Sequence, residues 1–274
     1  MIRLAAAALL LAAAASAAEP RIAFVERDAK DGRRELIVAD AKGVPLRVVH
    51  SSKDVYDPSW SPDGSRLLYT VGLSTGVVWT ALASGGPGRP VPGTEGAMLP
   101  RFSHDGASVV YSRNGGIWAV PSKGGRPRLV CGSDSRRPYR DTAASPDGTR
   151  LAAIAGRELV VMSRDCSREK TLVKDGAPKT LAGWSQAGIA YLDPRGLVVL
   201  DAAGRKPRRC PGLFLHASWT DDGRLLTEAM VDAVDKAAYT RLALLDPNGC
   251  ESTKLAEFKE SSLNGAAWRR TSRK

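Results

Sequence analysis

The chain of 274 residues has few of the side chains that usually carry chemistry: three histidines, four cysteines and 6% aromatic residues. His50, His104 and His216 lie far apart, so no histidine metal motif is present. No two cysteines have Cys-x-x-Cys spacing, which excludes the corresponding metal and redox motifs. The sequence also lacks a glycine-rich phosphate loop and an acidic loop with calcium-binding spacing.

Long apolar runs are also missing, apart from one at the start of the chain. Arg3 precedes an apolar stretch from Leu4 to Ala15, and the small residues Ser16-Ala17-Ala18 follow it. This order is typical of a secretory signal peptide, and the run is too short to span a membrane. We predict that residues 1–18 are the signal peptide and that residues 19–274 form one periplasmic domain. No cysteine follows the cleavage site, which argues against a lipoprotein anchor.

A phrase built around Ser-Pro-Asp-Gly recurs along the chain. Its aspartates Asp63, Asp105 and Asp147 are each 42 residues after the one before. A period of this size, with a turn signal between two apolar runs, is typical of the blades of a β-propeller. The three full copies are Trp60–Tyr69, Phe102–Tyr111 and Ala144–Ala153, and less regular copies begin at Trp184 and Trp219.

Each copy predicts the end of one strand, a tight turn and the start of the next strand, because Asp-Gly between apolar runs is a strong hairpin signal. The turn glycines, such as Gly64, are expected at positive φ. Third and fourth strands follow in each copy, and four strands make one propeller blade.

Six blades are predicted from the positions of these strands. The chain starts with a second strand and ends with a first strand, so the C-terminal segment should complete the first blade and close the ring, which hides strand edges. The predicted fold class is therefore all-β, a six-bladed β-propeller of four-stranded blades. Second strands are predicted to begin near Ile22, Arg66, Ser108, Arg150, Gly188 and Arg224, and first strands to end at Trp60, Phe102, Ala144, Trp184, Trp219 and Trp268.

The four cysteines fit this arrangement of blades. Cys131 and Cys210 fall on predicted outer strands, whereas Cys166 and Cys250 follow the third strand of the next blade. The pairs Cys131–Cys166 and Cys210–Cys250 are related by the same one-blade step. We predict these two disulfides in an exported protein; the alternative is four unpaired, buried thiols.

The charge of the chain is strongly positive, with 40 basic and 29 acidic residues and a net charge of +11. Basic clusters occur at Arg136-Arg137, at Arg205–Arg209 and in the tail from Arg269 to Lys274. They could attract an acidic partner or an anionic envelope surface, or they could be an ordinary solvated rim. No interleaving of aromatic and basic residues supports nucleic-acid binding.

The sequence contains one pattern that is known from catalytic sites. Gly72-Leu73-Ser74-Thr75-Gly76 matches the Gly-x-Ser-x-Gly pattern of hydrolases, but that pattern needs a strand-to-helix turn. Here it falls between a second and a third propeller strand, so we interpret it as a hairpin loop.

The segments that lead into the first strands should form the mouth of the central channel. They differ between blades far more than the turns do, as expected where loops specialise. Aromatic, methionine and arginine side chains on a rigid concave surface suit a protein-binding site; the alternative is ordinary loop variation, with the aspartates as turn caps. The candidate mouth residues are Tyr56, Asp57, Met98, Leu99, Arg140, Asp141, His216 and Asn264.

The phrase Asp57–Gly64, followed by Arg66-Leu67-Leu68-Tyr69, resembles the repeat of TolB-like propellers, and the likeness extends over essentially residues 21–270. The resemblance implies a six-bladed propeller with a periplasmic binding role, whose mouth receives the peptidoglycan-associated lipoprotein Pal. It carries over only to the mouth positions around Asp57, Arg140-Asp141 and His216. In TolB an α/β domain with a TolA-binding segment precedes the propeller, whereas here the predicted signal peptide runs almost directly into the first blade strand, so we expect no TolA contact.

We therefore expect a non-enzymatic periplasmic scaffold that binds an envelope protein, such as a Pal-like lipoprotein. The protein should be a monomer without a cofactor, a bound metal, a nucleic-acid partner or a membrane span. One alternative is a calcium-dependent propeller enzyme of the lactonase or lyase type, which would use Asp57, Asp141 and Asn264. Another is a glycan-binding module that uses the basic rim and is marked by strong salt dependence.

Overall fold

The computed structural model describes residues 19–72, 76–132, 136–233, 236–259 and 261–269, with the backbone alone at 232–233, 236–238, 261 and 264. All regular structure in these ranges is β-strand, arranged as six four-stranded antiparallel sheets. No helix in them is long and apolar enough to span a bilayer. The predicted signal peptide and residues 73–75 of the Gly-x-Ser-x-Gly match lie outside the described residues.

Each sheet is a meander in which neighbouring strands are consecutive in the chain, except for the blade that contains both ends. The strands are β1 (Ile22–Asp28), β2 (Arg34–Ala39), β3 (Pro45–Ser52), β4 (Val55–Trp60), β5 (Arg66–Val71), β6 (Val77–Leu82), β7 (Arg89–Pro90), β8 (Met98–Phe102), β9 (Ser108–Arg113), β10 (Gly116–Pro121), β11 (Arg128–Cys131), β12 (Tyr139–Ala144), β13 (Arg150–Ala155), β14 (Glu158–Ser163), β15 (Lys170–Val173), β16 (Thr180–Ser185), β17 (Gly188–Asp193), β18 (Gly196–Leu200), β19 (Arg208–Cys210), β20 (Leu213–Trp219), β21 (Leu225–Ala233), β22 (Lys236–Asp246), β23 (Glu251–Phe258) and β24 (Ser261–Trp268).

The six sheets form a closed ring, which confirms the predicted six-bladed propeller. The innermost strands β24, β4, β8, β12, β16 and β20 each contact the next, and β20 contacts β24 again. β24 pairs antiparallel with β1, with Ile22 opposite Trp268. The C-terminal strand therefore completes the first blade, as predicted. We number the blades from this one, so that blade 2 contains β4–β7 and blade 6 contains β20–β23.

The repeated phrase forms the same turn in each full copy. In blade 4, the Ser145 hydroxyl donates to Asp147 Oδ1 at 2.5 Å and accepts from the Arg150 amide at 2.9 Å. The corresponding serines of blades 2 and 3 make the same pair of bonds. The turn glycines have positive φ, as expected, with Gly148 at 69° and Gly106 at 71°. The phrase therefore specifies the turn through its own side chains.

The hydrophobic core of the described residues consists of six clusters, each between the facing sheets of two neighbouring blades. Phe24 of blade 1 packs in one cluster with Leu242 of blade 6, so the closing interface is of the same kind as the other five. Fully burying a side chain of this size contributes about 1.5–3 kcal/mol. Apolar packing between blades therefore holds the ring together.

Both predicted disulfides are present. Cys131 and Cys166 have Cα atoms 5.6 Å apart, and Cys210 and Cys250 have Cα atoms 5.3 Å apart, both within the range that a disulfide requires. Each bond joins the outer strand of one blade to the loop after the third strand of the next. Two disulfides fit an oxidising compartment.

Candidate functional site at the channel mouth

Every innermost strand carries a register irregularity against its second strand, near the end where it enters the channel. Bulges of this kind turn a side chain to a new direction. In each blade, the residue three positions before the predicted last residue of the first strand lines one central cavity. We call them the channel ring: Asp57, Leu99, Asp141, Leu181, His216 and Gly265.

Three members of the channel ring other than Gly265 have left-handed backbone. Asp57 and Leu99 have φ of 53° and Asp141 has φ of 47°. This conformation is uncommon outside glycine, and aspartate tolerates it better than leucine does. The bulge is thus a feature of the repeat that persists even where the residue type does not favour it.

The cavity inside the channel ring has a volume of about 70 Å³, enough for a few water molecules or one small cationic group. Besides the ring, its walls are mostly small residues of the inner strands, such as Ala217, Ala266 and Ala267. Arg101 is the one charged lining residue that lies outside the ring and within the described part of the chain. The chemistry of the cavity therefore resides in a few ionisable side chains.

Asp141 is the most buried of them, at 3% exposure. Its Oδ2 accepts a 2.7 Å hydrogen bond from the Leu181 amide of the next blade. Its Oδ1 lies 3.5 Å from an Arg101 guanidinium nitrogen but has no hydrogen-bond partner in the described residues, and neither has Arg101 Nε. Burial raises the pKa of Asp141, and the charge of Arg101 only partly opposes this shift.

Asp57 occupies the corresponding place in blade 2. Burial raises the pKa of this carboxyl, while the charges of His216 and Arg101 and the Leu99 amide oppose the rise. Asp57 and Asp141 thus each face the amide of the next member of the channel ring. Each aspartate therefore bonds to the next blade, and its carboxyl group is part of the cavity wall.

His216 reaches a buried partner behind the ring. Its Nδ1 lies 3.1 Å from Glu228 Oε2, which also accepts a 3.0 Å hydrogen bond from the Gly265 amide. Glu228 is fully buried, and its Oε1 has no partner among the described residues. Burial by itself lowers the pKa of His216, but the hydrogen bond and charge of Glu228, with the charges of Asp57 and Asp141, raise it above its ordinary value.

The other predicted mouth residues lie one position earlier in each strand, on the rim. Met98 is 48% exposed. The Tyr56 hydroxyl donates to Asp54 at 3.4 Å, with the Arg34 guanidinium 4.6 Å above the ring centre. Arg140 donates to the Gly156 carbonyl at 2.9 Å. The side chain of Asn264 lies outside the described residues. The structure thus divides the predicted set into a rim and a charged channel, and its binding role stays a prediction.

Sequence reasoning missed Arg101 and Glu228. Arg101 directly precedes the phrase's Phe102, where the other copies have Ser59 and Ala143. Glu228 is a single acid inside the apolar run from Leu225 to Met230. A lone charge in an otherwise apolar strand is the signal that could have identified Glu228.

The described residues contain no group of three or more histidine, cysteine, aspartate or glutamate side chains that could hold a metal ion. Asp57 and Asp141, which the calcium alternative requires, lie on blades 2 and 4. Arg101 stands beside Asp141, where it supplies the positive charge that a cation would otherwise supply.

Comparison with known proteins gives one family and several relatives. The family of the lipoprotein LpqB beta-propeller domain matches residues 4–209. The Tol-Pal system protein TolB of Xanthomonas oryzae pv. oryzae is 44% identical over 52 residues, which cover 18% of this chain and 12% of that protein. The chain thus spans about an eighth of the length of the curated relatives it matches.

Two solved structures share the fold. TolB from Acinetobacter baumannii superimposes with a TM-score of 0.75 at 18% identity, over 92% of this chain and 67% of that one. The putative TolB from Agrobacterium tumefaciens has a TM-score of 0.66 at 18% identity, over 91% of this chain and 99% of that one. At these identities the likeness shows the propeller fold alone.

Proposed function

The chain belongs to the lipoprotein LpqB β-propeller domain family, and we propose that it is a non-enzymatic scaffold that binds an envelope protein through the mouth of its channel. The observation that carries this proposal is the contrast at the mouth. An exposed methionine, a tyrosine and an arginine stand on the rim, above a cavity that contains the incompletely paired carboxyl group of Asp141. Such residues on a rigid concave surface suit a protein-binding site.

The channel also suggests the chemistry of the partner. Asp141 Oδ1 is buried without a hydrogen-bond partner among the described residues, and burial raises the pKa of Asp57 and Asp141. A donor that entered the cavity would reverse these costs. The proposed partner therefore presents a lysine, an arginine or another hydrogen-bond donor to the mouth.

The proposed compartment is the periplasm. The start of the chain has the pattern of a secretory signal, and both disulfides fit an oxidising compartment. The relative TolB is, by its name, a protein of the Tol-Pal system. On that basis a Pal-like lipoprotein is the first partner to test.

The test is crosslinking of the tagged, exported protein in its cells, followed by mass spectrometry of the proteins that it captures. We expect an envelope protein to be recovered with the wild type and lost with the double variant Met98→Asp/Arg140→Glu. A hot-spot side chain contributes about 2 kcal/mol or more, so a purified partner should bind at least about thirtyfold more weakly to the variant.

The matched control is Leu129→Asp, on the outer strand of the same blade as Met98 and equally exposed at 50%. It should leave capture unchanged. Equal capture by the wild type and the mouth variant would contradict the proposal, as would equal loss with the mouth and control variants.

The calcium-enzyme alternative has a separate test. In calorimetric titration with CaCl₂, we expect the wild type and Asp141→Asn to give the same heat, with no saturable calcium binding in either protein. Saturable heat that disappears in this variant would favour the enzyme alternative over the scaffold.

A further inference from the structure

A second cavity of the described residues lies away from the mouth, on the turn face between blades 4 and 5. It has a volume of about 420 Å³, within the usual range of small-molecule sites. Leu172, Trp184 and Ile189 supply apolar wall. Arg150, Arg168 and Lys170 stand at the same cavity. We call this site the blade 4–5 pocket.

The three cations of the blade 4–5 pocket form no close ion pair with neighbouring carboxylates of the described residues. None of them lies within 4 Å of a carboxylate oxygen in the described part of the chain. The nearby turn carboxylate Asp147 accepts from Ser145 and Thr149 instead. Asp147 and Asp165 act on Arg150 and Arg168 through longer-range electrostatic attraction. Three positive charges at one concave site, none of them in a close ion pair, favour the binding of an anion.

Arg150 is placed differently from the corresponding arginine of blade 6. The guanidinium of Arg150 lies 4.8 Å above the ring of Trp184. Arg224 follows the turn of blade 6, as Arg150 follows that of blade 4, but pairs with Asp222 at 2.7 Å. The same position of the repeat is thus neutralised at one blade interface and left positive at the other.

The walls of the blade 4–5 pocket are firmly held. A Cβ on Gly204 would lie 2.7 Å from Leu172 Cδ1, so blade 5 closes tightly against blade 4. On the other side, Arg168 follows Cys166, whose disulfide to Cys131 fastens the loop. Cys166 and Arg168 both have left-handed backbone, with φ of 66° and 54°. The Arg168 side chain therefore stands on a constrained loop, which reduces the entropy cost of binding.

We propose that the blade 4–5 pocket binds a small amphiphilic anion. Its carboxylate or phosphate lies among Arg150, Arg168 and Lys170, and its apolar part lies against Leu172, Ile189 and Trp184. Guanidinium groups match the geometry of both anions. The Cys131–Cys166 disulfide positions Arg168 for this contact, so affinity depends on the oxidised state.

The test is calorimetric titration of the mature protein with hexyl phosphate and with hexanoate. Inorganic phosphate has the anionic group alone, and hexan-1-ol has the apolar chain without a charge. We call these two controls the half ligands. We expect at least one amphiphilic anion to bind about tenfold or more tightly than either half ligand. The tighter of the two anions identifies phosphate or carboxylate as the natural head group.

Arg168→Ala and Lys170→Ala should each weaken binding about tenfold, because each removes one charge-assisted contact. Arg224→Ala, at the corresponding position of blade 6, should not change it. The proposal is overturned if neither anion binds, if inorganic phosphate binds as tightly as hexyl phosphate, or if all three variants bind alike.

The disulfide requirement has its own matched pair. Cys131→Ser/Cys166→Ser should weaken binding, whereas Cys210→Ser/Cys250→Ser, the corresponding bond one blade pair further on, should not. Both double cysteine variants are measured below their melting temperatures. Arg168→Ala and Lys170→Ala test the site with both disulfides intact. Equal affinity in both double variants would remove the disulfide from the proposal.

Discussion

The turn face and the channel ring use aspartate in opposite ways. In blade 4, hydrogen bonds from Ser145 and Thr149 lower the pKa of Asp147 to about 2. At the other end of the same innermost strand, burial raises the pKa of Asp141. The Asp147 carboxylate accepts three local hydrogen bonds at Oδ1, whereas the Asp141 carboxyl is buried with one oxygen that has no hydrogen-bond partner in the described residues. The pKa of an aspartate is therefore lowered where it stabilises a turn and raised where it faces the channel.

This difference separates what the repeat requires from what each blade adds. Turn aspartates bond to residues within two positions of themselves, so any copy of the phrase reproduces the geometry. Channel carboxylates bond across blades, as Asp141 does to Leu181 and Glu228 to Gly265. Their environment depends on neighbours that differ from blade to blade.

Of the variants that test this difference, Glu228→Ala should have the largest effect on stability. We expect the free energy of unfolding to fall by about 3–5 kcal/mol, since His216 loses its buried partner and the Gly265 amide loses its acceptor. Urea denaturation at pH 6 measures this change. Glu251→Ala removes an exposed glutamate of the same blade and should change stability by less than about 0.5 kcal/mol. Equal effects of the two variants would contradict a structural role for Glu228.

A second prediction concerns the equivalence of the turns. Ser145→Ala and Ser103→Ala each remove the hydroxyl that links the turn aspartate to the next strand. Each should cost about 1–2 kcal/mol, and the two values should agree within about 0.5 kcal/mol. Thermal and urea unfolding provide both numbers. Widely different costs would mean that the turns are not independent of their blades.

A third prediction isolates the backbone of the turn. Gly106→Ala should cost about 1–2 kcal/mol, because φ of 71° is unfavourable for alanine. The substitution adds no clash, since the nearest atom would be Pro62 Cδ at 3.6 Å. Gly132→Ala is the control at a glycine without positive φ, and its stability should barely change. A cost below that of the control would contradict the steric explanation.

The smallest effect is on the pH dependence of stability. The lowered pKa of Asp147 gives a contribution that is present above its ordinary value of 3.8 and lost as the pH falls toward about 2. The raised pKa of Asp141 has the opposite sign: its contribution is present below 3.8 and lost as the pH rises through the folded value. Asp147→Asn and Asp141→Asn should therefore change the slope of stability against pH in opposite directions. Carboxyl carbon NMR titration checks the two pKa values directly, and parallel changes in slope would refute the assignment.

The sequence predicts those parts of the fold that depend on local interactions. Second strands begin within one residue of the predicted positions, as at Gly188 and Leu225, and first strands end within one residue, as at Trp60 and Ser185. The two disulfides followed from the same reasoning, since one blade step relates them. Each of these predictions uses only the repeat and its period.

The channel network could not be predicted in the same way. Arg101, Asp141 and His216 belong to three different blades, and their distances depend on the bulges that turn them inward. The blade 4–5 pocket is equally invisible in sequence, because it depends on whether Arg150 faces a tryptophan or a carboxylate. The repeat places the channel ring at one position of each blade, but the side chain at that position changes from blade to blade, so periodicity does not predict which of these contacts form.

The closing strand β24 has a consequence for the order of folding. Arg269 donates to the carbonyl of Pro20 across a separation of 249 residues, and Trp268 pairs with Ile22. Joining such distant segments adds little to the equilibrium cost, since loop-closure entropy grows only logarithmically with length, but contacts of long sequence separation form slowly. The edge of β1 therefore stays unpaired until the far end of the chain arrives. Ring closure is thus a late kinetic step, and a molecule interrupted before it exposes a strand edge that other chains can capture.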